Sequence, residues 1–285
     1  MGQIQDRMFS HWRADCKGSL TTLTMDHSTM SQMEFAVNMT CGSCKEKVKE
    51  SLQNIQGIES LSIDVDKQSV IIKTTQPSTV IQEAIERTGM LAVLRGQGQG
   101  STHLGAAISI LKQNERIFGL VRFVQIDNNT CVIDGSFNGL IPNSKHALHV
   151  HELGDLSEGC ESTGDDYNPT NTSHGDRMDN NRHTGDLGNI NVDANGSSVF
   201  RYEDNIIKLV IFKVWDIIGR SMVIHEGEDD LSSENHGNAG KGMACGIIAR
   251  SAGMFENTKK VCACTGKTLW EEREEARTMY VDPTS

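Results

Sequence analysis

Basic residues are in short supply in this 285-residue chain, where 27 Lys and Arg face 38 Asp and Glu and leave a formal net charge of -11. That balance excludes a nucleic-acid or anionic-membrane surface, since both need clustered Lys and Arg. Long apolar runs are missing too. The longest, Ile206-Ile207-Lys208-Leu209-Val210-Ile211-Phe212, falls far short of the roughly 20 residues of a membrane helix. The first 30 residues lack the apolar centre of a secretory signal, so the expected location is the cytoplasm. Eight cysteines are too sparse for a disulfide scaffold. In a reducing compartment, paired cysteines more often bind metal or do redox work.

The cysteines that are present come in pairs. Cys41 and Cys44 lie in the run Met39-Thr40-Cys41-Gly42-Ser43-Cys44, and Cys262 and Cys264 follow more than 200 residues later. Soft thiolates prefer Cu(I) and Zn(II) over hard cations, and a two-sulfur site leaves room for a third ligand from another protein. The pattern points to a chain that hands metal over, with protein or metal as its partner.

Residues 1–33 carry no sustained period and scatter His11, Cys16 and His27, which predicts a disordered extension; Met8, Met25, Met30 and Met33 leave a later start than Met1 open. Over 34–96 the pattern tightens. Phe35 and Val37 alternate as a strand, and Val48, Leu52 and Ile55 fall on one helical face before Gly57. Leu61, Ile63 and Val65 alternate again, Val70-Ile71-Ile72 form a partner strand, a helix runs from Ser78 to Gly89, and Leu91–Leu94 close the unit. This α+β order, βαββαβ, is ferredoxin-like and sets both thiols in an exposed loop at a helix N-terminus. That position lowers thiol pKa and makes thiolate available. Met-Thr-Cys-Gly-Ser-Cys in the first loop of such a unit resembles the heavy-metal-associated domains of copper chaperones and copper-pumping ATPases. The resemblance implies Cu(I) at Cys41 and Cys44.

Gly96-Gln97-Gly98-Gln99-Gly100-Ser101 reads as flexible, which predicts a linker at 97–102. Residues 103–250 differ in kind. Apolar strands such as Ala107–Leu111, Gly119–Val124 and Cys131–Phe137 precede loops rich in Gly, Asn and Asp, which predicts an all-β sandwich or barrel. His149 and His151, two apart on one face of a strand, can reach one metal. His174, His183 and Asp186 follow within 37 residues of His149, and His225 comes later.

The ordered motifs His149-Val150-His151-Glu152, Gly159-Cys160, Tyr167-Asn168-Pro169, His174-Gly175, Arg182-His183-Thr184-Gly185-Asp186, His225-Glu226 and Ala244-Cys245-Gly246 are similar to copper/zinc superoxide dismutase. The resemblance implies a Greek-key barrel. It also implies copper at His149, His151 and His225, zinc at His174, His183 and Asp186, and a disulfide between Cys160 and Cys245. His103, His146 and His236 match no ligand position. Two departures bear on activity. Asp166 stands where the dismutases carry their bridging His, and a carboxylate can serve zinc but cannot form an imidazolate bridge. Gly242 stands where they carry an Arg that attracts superoxide, and the adjacent Lys241 supplies charge without the planar fork.

Residues 251–285 read as a mostly irregular tail holding Lys259-Lys260-Val261-Cys262-Ala263-Cys264. Cys-x-Cys can bind Cu(I) or exchange with a disulfide, and the lysines favour thiolates. The three parts in this order, from 34 to about 275, resemble the copper chaperones for superoxide dismutase. That resemblance implies Cu(I) at Cys262 and Cys264, catalysis of thiol exchange by that pair, and a heterodimer with copper/zinc superoxide dismutase. It also implies a homodimer when no target is present. The rival expectations are a dismutase enzyme with appended copper-loading domains, and a passive copper buffer.

Overall fold

A computed structural model describes residues 29–100, 103–113, 116–209, 216–232 and 236–279. The expected extension falls mostly on residues outside these. The front unit runs β1 (Ser31–Val37), α1 (Gly42–Gln53), β2 (Ile58–Asp64), β3 (Ser69–Thr74), α2 (Ser78–Glu86) and β4 (Ala92–Gly98). Its four strands form an antiparallel sheet in the order β2-β3-β1-β4. Alternation puts Met33, Phe35 and Val37 of β1 and Val70 and Ile72 of β3 on the helix-facing side, where Val48, Leu52, Ile81 and Ile85 complete the core. Ile55 lies beyond the end of α1 and packs only partly against that core. Gly57 turns the chain at φ +82°, where a Cβ would meet the Thr75 hydroxyl at 2.3 Å.

Both expected boundaries of this unit move outward. Ser31, Gln32 and Met33 already belong to β1, and Gln97 and Gly98 belong to β4, with Gln32 opposite Gly98 and Met33 opposite Gln97. Ladder pairing uses backbone groups alone, so a Gly/Gln composition that reads as a linker extends a strand at no cost in side-chain packing. Gly96 is needed for a different reason: a Cβ there would lie 2.1 Å from the Gly253 carbonyl.

The second unit is an eight-stranded antiparallel, barrel-like sheet. Its strands are β5 (Ala106–Gln113), β6 (Ile117–Gln125), β7 (Cys131–Asn138), β8 (Lys145–His151), β9 (Asp186–Asn191), β10 (Ser198–Asp204), β11 (Ser221–His225) and β12 (Gly242–Arg250). They lie in the order β10-β7-β6-β5-β12-β11-β8-β9, with the crossovers of Greek-key topology. Leu111, Val121, Phe123, Ile133, Phe137, Leu148 and Val150 fill the interior. From the long apolar run, Ile207 and Leu209 are fully buried in this core, while 210–212 lie outside the described residues. Arg182 and Asp204 form a buried ion pair.

The tail is less irregular than its composition suggests. Val261 bridges Thr268, which folds Cys262–Lys267 into a tight hairpin, and α3 (Leu269–Met279) follows. The two units touch through polar groups. Asp134 of β7 accepts hydrogen bonds from the Ser78 hydroxyl (2.7 Å) and Gln97 Nε2 (3.0 Å), and Arg201 lies 3.6 Å away. The strap after β12 adds Gln97 N to Ala252 O (3.4 Å) and Phe255 N to the Glu34 carboxylate (2.9 Å).

Candidate metal centres and thiol pairs

Cys41 is the N-cap of α1, in extended conformation, and its sulfur lies 3.5 Å from that of Cys44. Cys41 is exposed and Cys44 half-buried, above the buried Met39. The Ser43 hydroxyl, 3.0 Å from the Cys41 sulfur, does most to lower its pKa, and the Cys44 backbone N–H adds to this; together they bring it to about 6. The helix terminus foreseen from the sequence is therefore the second contributor, behind a side chain not singled out there.

In the barrel, the pairing of β8 with β11 and β9 brings two groups together: His149, His151, Asp166 and His225, and Asp166, His174, His183 and Asp186. All the expected barrel ligands fall in these groups, and Asp166 belongs to both. Hydrogen bonds fix the ring orientations. His151 Nδ1 donates to Gly164 O (2.7 Å) and His225 Nδ1 to Gly240 O (2.9 Å), which turns both Nε2 atoms inward to 3.3 Å from each other. His149 Nε2 donates to Asp229 Oδ2 (3.0 Å) and His174 Nε2 to Asp229 Oδ1 (2.9 Å), leaving both Nδ1 atoms directed inward. Asp186 Oδ2 accepts from Gly175 N and His183 N, so Oδ1 faces His174 Nδ1 (3.1 Å) and His183 Nδ1 (3.2 Å).

The fit to metal is tested by what these atoms lack. His149 Nδ1, His174 Nδ1, His183 Nδ1 and Asp186 Oδ1 are buried without a hydrogen bond. Buried lone pairs of this kind are costly unless a cation uses them. The two imidazoles and two carboxylates of His174, His183, Asp186 and Asp166 are a donor set suited to zinc, and the imidazoles of His149, His151 and His225 suit zinc or copper. The electrostatics agree. Burial opposes charge on His149, but Asp166 and Asp229 outweigh it and raise its pKa to about 9; burial likewise opposes His174, which Asp186 and Asp229 raise to about 10. Burial and then the neighbouring His149 lower His225 to about 4. Burial pushes the Asp229 carboxyl upward, but His149 and His174 hold it well below the usual range.

Asp229 is the residue that sequence reasoning missed. It sits in the acidic run Glu226-Gly227-Glu228-Asp229-Asp230, which looks like a solvated face, yet it is buried and joins the two histidine groups. His146, which matched no ligand position, donates from Nδ1 to the His225 carbonyl (2.8 Å). His103 pairs with Glu256 (3.6 Å); the side chain of His236 lies outside the described residues.

Cys160 and Cys245 form a disulfide with a Cα–Cα distance of 5.7 Å. It ties the short 3-10 turn Gly159–Thr163 to β12. Gly242 packs directly on this disulfide: a Cβ would lie 2.7 Å from the Cys160 Cβ and 2.9 Å from Val223. In the tail, Cys264 is exposed and Cys262 half-buried. The Thr265 hydroxyl, followed by the backbone N–H groups of Thr265 and Cys264, lowers the Cys262 pKa, while Glu272 opposes them. Lys259, foreseen as a thiolate partner, pairs with Glu272 at 2.6 Å and also interacts with Cys262; Glu272 and then Cys262 raise the lysine's pKa.

Residues 34–90 match the family model of the heavy-metal-associated domain, and residues 117–248 that of copper/zinc superoxide dismutase. Over 255 residues, 87% of this chain, the sequence is 49% identical to a copper chaperone for superoxide dismutase of Sus scrofa and 47% identical to one of Homo sapiens, covering 91% of each. It is 33% identical over 254 residues to a superoxide dismutase 1 copper chaperone of Saccharomyces cerevisiae, covering 85% of this chain and 94% of that protein. With both domains matched in order and nearly the full length of these relatives spanned, this chain belongs to the family of copper chaperones for superoxide dismutase.

Proposed function

We propose that the chain acquires Cu(I) on Cys41 and Cys44, docks on copper/zinc superoxide dismutase through its dismutase-like barrel, and uses Cys262 and Cys264 to complete delivery and oxidise the target. The observation that carries this reading is the pair of accessible dithiols flanking one barrel. Neither a dismutase nor a passive buffer needs both. The barrel would act as a surrogate subunit in a heterodimer, and by the same isologous surface as a homodimer when no target is present. Among the described residues no helix is long and apolar enough to cross a membrane; we assign the cytoplasm as the working compartment.

Zinc would be held by His174, His183 and Asp186 with Asp166, where it supplies structural cross-linking of the long loop. His149, His151 and His225 retain donors for copper. Asp166 and Gly242 argue against efficient dismutation, so activity per bound copper is expected far below that of a true dismutase. In the disulfide step, a target thiolate attacks an oxidised Cys262–Cys264 pair to give a mixed disulfide, and the second target thiolate resolves it. Two electrons and two protons pass to the tail, which an external oxidant such as dioxygen resets.

The test is to mix Cu(I)-loaded chain with reduced apo-dismutase and score activity and disulfide on the same sample. The Cys262→Ser/Cys264→Ser variant should still bind the target yet fail to activate it. Activation and oxidation at the wild-type rate by this variant would refute the assigned role of the tail.

A further inference from the structure

The tail is fastened to the front unit at one end of that unit, and the fastening has a direction. Arg273 of α3 donates from Nε and Nη2 to the two carboxylate oxygens of Glu86, both at 2.9 Å. This is a bidentate pair, and with side-chain exposures of 23% and 14% it is shielded enough to outweigh an ordinary surface ion pair. Leu269, at the start of α3, is 8% exposed. Glu86 in turn accepts from Ala92 N (3.2 Å), at the first residue of β4.

Strand register locates that end. Ala92 is opposite Val37, the last residue of β1, and Asn38 and Leu91 exchange hydrogen bonds just beyond. The thiol loop leaves β1 at this point and reaches Cys41 four residues after Val37. On the tail side, the hairpin that holds Cys262 is tied to the start of α3 by Leu269 N on Lys260 O (2.9 Å) and by Lys259 Nζ on the carboxylate of Glu272 (2.6 Å), next in sequence to Arg273. The path therefore runs from the Cys262 hairpin along α3 to Arg273, and through Glu86 and Ala92 to the strand end that carries Cys41 and Cys44. The opposite end of β4 is held separately, by Gln97 N on Ala252 O.

We infer that the Glu86–Arg273 pair is a positioning clamp that holds the tail dithiol at the thiol-loop end of the front unit, so that Cu(I) passes within one chain from Cys41 and Cys44 to Cys262 and Cys264. The inference rests on the delivery reading above. In the transfer two Cu–S bonds form and two break, copper stays Cu(I), and the two protons of the receiving thiols pass to the departing sulfurs. Tethering replaces a bimolecular encounter with an effective concentration that short connections raise to the millimolar range; the clamp sets where that concentration is felt.

The experiment uses the full chain with Cys44→Ser and Cys264→Ser, leaving Cys41 and Cys262 as reporters, and measures their disulfide under diamide by peptide mapping at dilutions that exclude intermolecular bonds. Adding Arg273→Glu should slow the Cys41–Cys262 cross-link by tenfold or more. Arg273→Lys should recover part of the rate, and Glu86→Gln, which keeps an acceptor for Ala92 N, should slow it as Arg273→Glu does even if the latter disturbs α3. Equal rates in the parent and both charge-breaking variants would overturn the clamp. In otherwise wild-type chains carrying one Cu(I) each, Arg273→Glu should activate apo-dismutase severalfold more slowly, with excess Cu(I) restoring the rate by loading the tail directly. Clamp-dependent cross-linking in a chain that never activates apo-dismutase would refute the delivery reading and leave the clamp standing.

Discussion

Cys41 and Cys131 have the same side chain and opposite chemistry. Cys41 is exposed, and the Ser43 hydroxyl and the start of α1 stabilise its thiolate to a pKa of about 6; burial pushes the Cys131 thiol well above the usual range. Iodoacetamide should therefore label Cys41 with a midpoint near pH 6 and leave Cys131 untouched in the native protein, as read by mass spectrometry across pH 5 to 9. A Cys41 midpoint near 8.5 would remove the assigned cause. The buried histidines give a second expectation. His225, lowered to about 4, stays neutral in the fold while the unfolded chain takes up a proton below about 6.5, so metal-free stability is lost as pH falls through that window. His149 and His174, raised to about 9 and 10, contribute stability that is fully present below about 6.5 and lost as pH rises through those values. The Tm of chelator-treated protein should peak near neutrality and fall on both sides. The members of the two His and Asp groups were legible because their strand and loop spacings match a known order. Asp229 was not, because its burial depends on two histidines brought to it by separate elements.

At the scale of elements, strands with alternating large apolar residues were readable, and strands built on backbone were not. Phe35 and Val37 announce β1, whereas Gln97 and Gly98 have no side-chain signal and join β4 only because β1 offers a free ladder edge. The tail helix was hidden in the same way: α3 is strongly charged, and its anchor Arg273 finds its partner, Glu86, on the front unit. The long loop between β8 and β9 shows what a covalent tie adds. Cys160 and Cys245 are 85 residues apart, and closing a loop of that size in the unfolded chain corresponds to about 4 to 5 kcal/mol by chain entropy. Cys160→Ser with Cys245→Ser should lower the unfolding free energy of zinc-loaded protein by roughly 2–5 kcal/mol in a urea melt. A loss under about 1 kcal/mol would mean that zinc and packing already hold the loop.

For the whole molecule, one buried carboxylate gathers side-chain hydrogen bonds between front unit and barrel. Asp134 is fully buried, accepts from Ser78 and Gln97 of the front unit, and faces Arg201, whose side chain is 7% exposed and which also donates to Ser31 Oγ and Thr29 O. Arg122 is a second guanidinium in the same interface; its pKa is lowered by burial, and Asp134 opposes that shift. Removing the negative charge leaves these cations desolvated with little to offset them, and breaking one partner of a buried pair costs about 3–5 kcal/mol. Asp134→Asn keeps the volume and a hydrogen-bond acceptor, so it tests charge alone. Each unit has its own apolar core, so the expected result is undocking without unfolding. Small-angle scattering should show a larger radius of gyration, the two units should melt separately, and Cu(I) binding at Cys41 and Cys44 should be unchanged. An unchanged scattering profile would assign the docking instead to the backbone strap, where Ala252 and Phe255 reach Gln97 and Glu34. In that case the orientation of the front unit would be set by the segment that leads into the tail, and shortening that segment, not changing its charge, would be the way to move it.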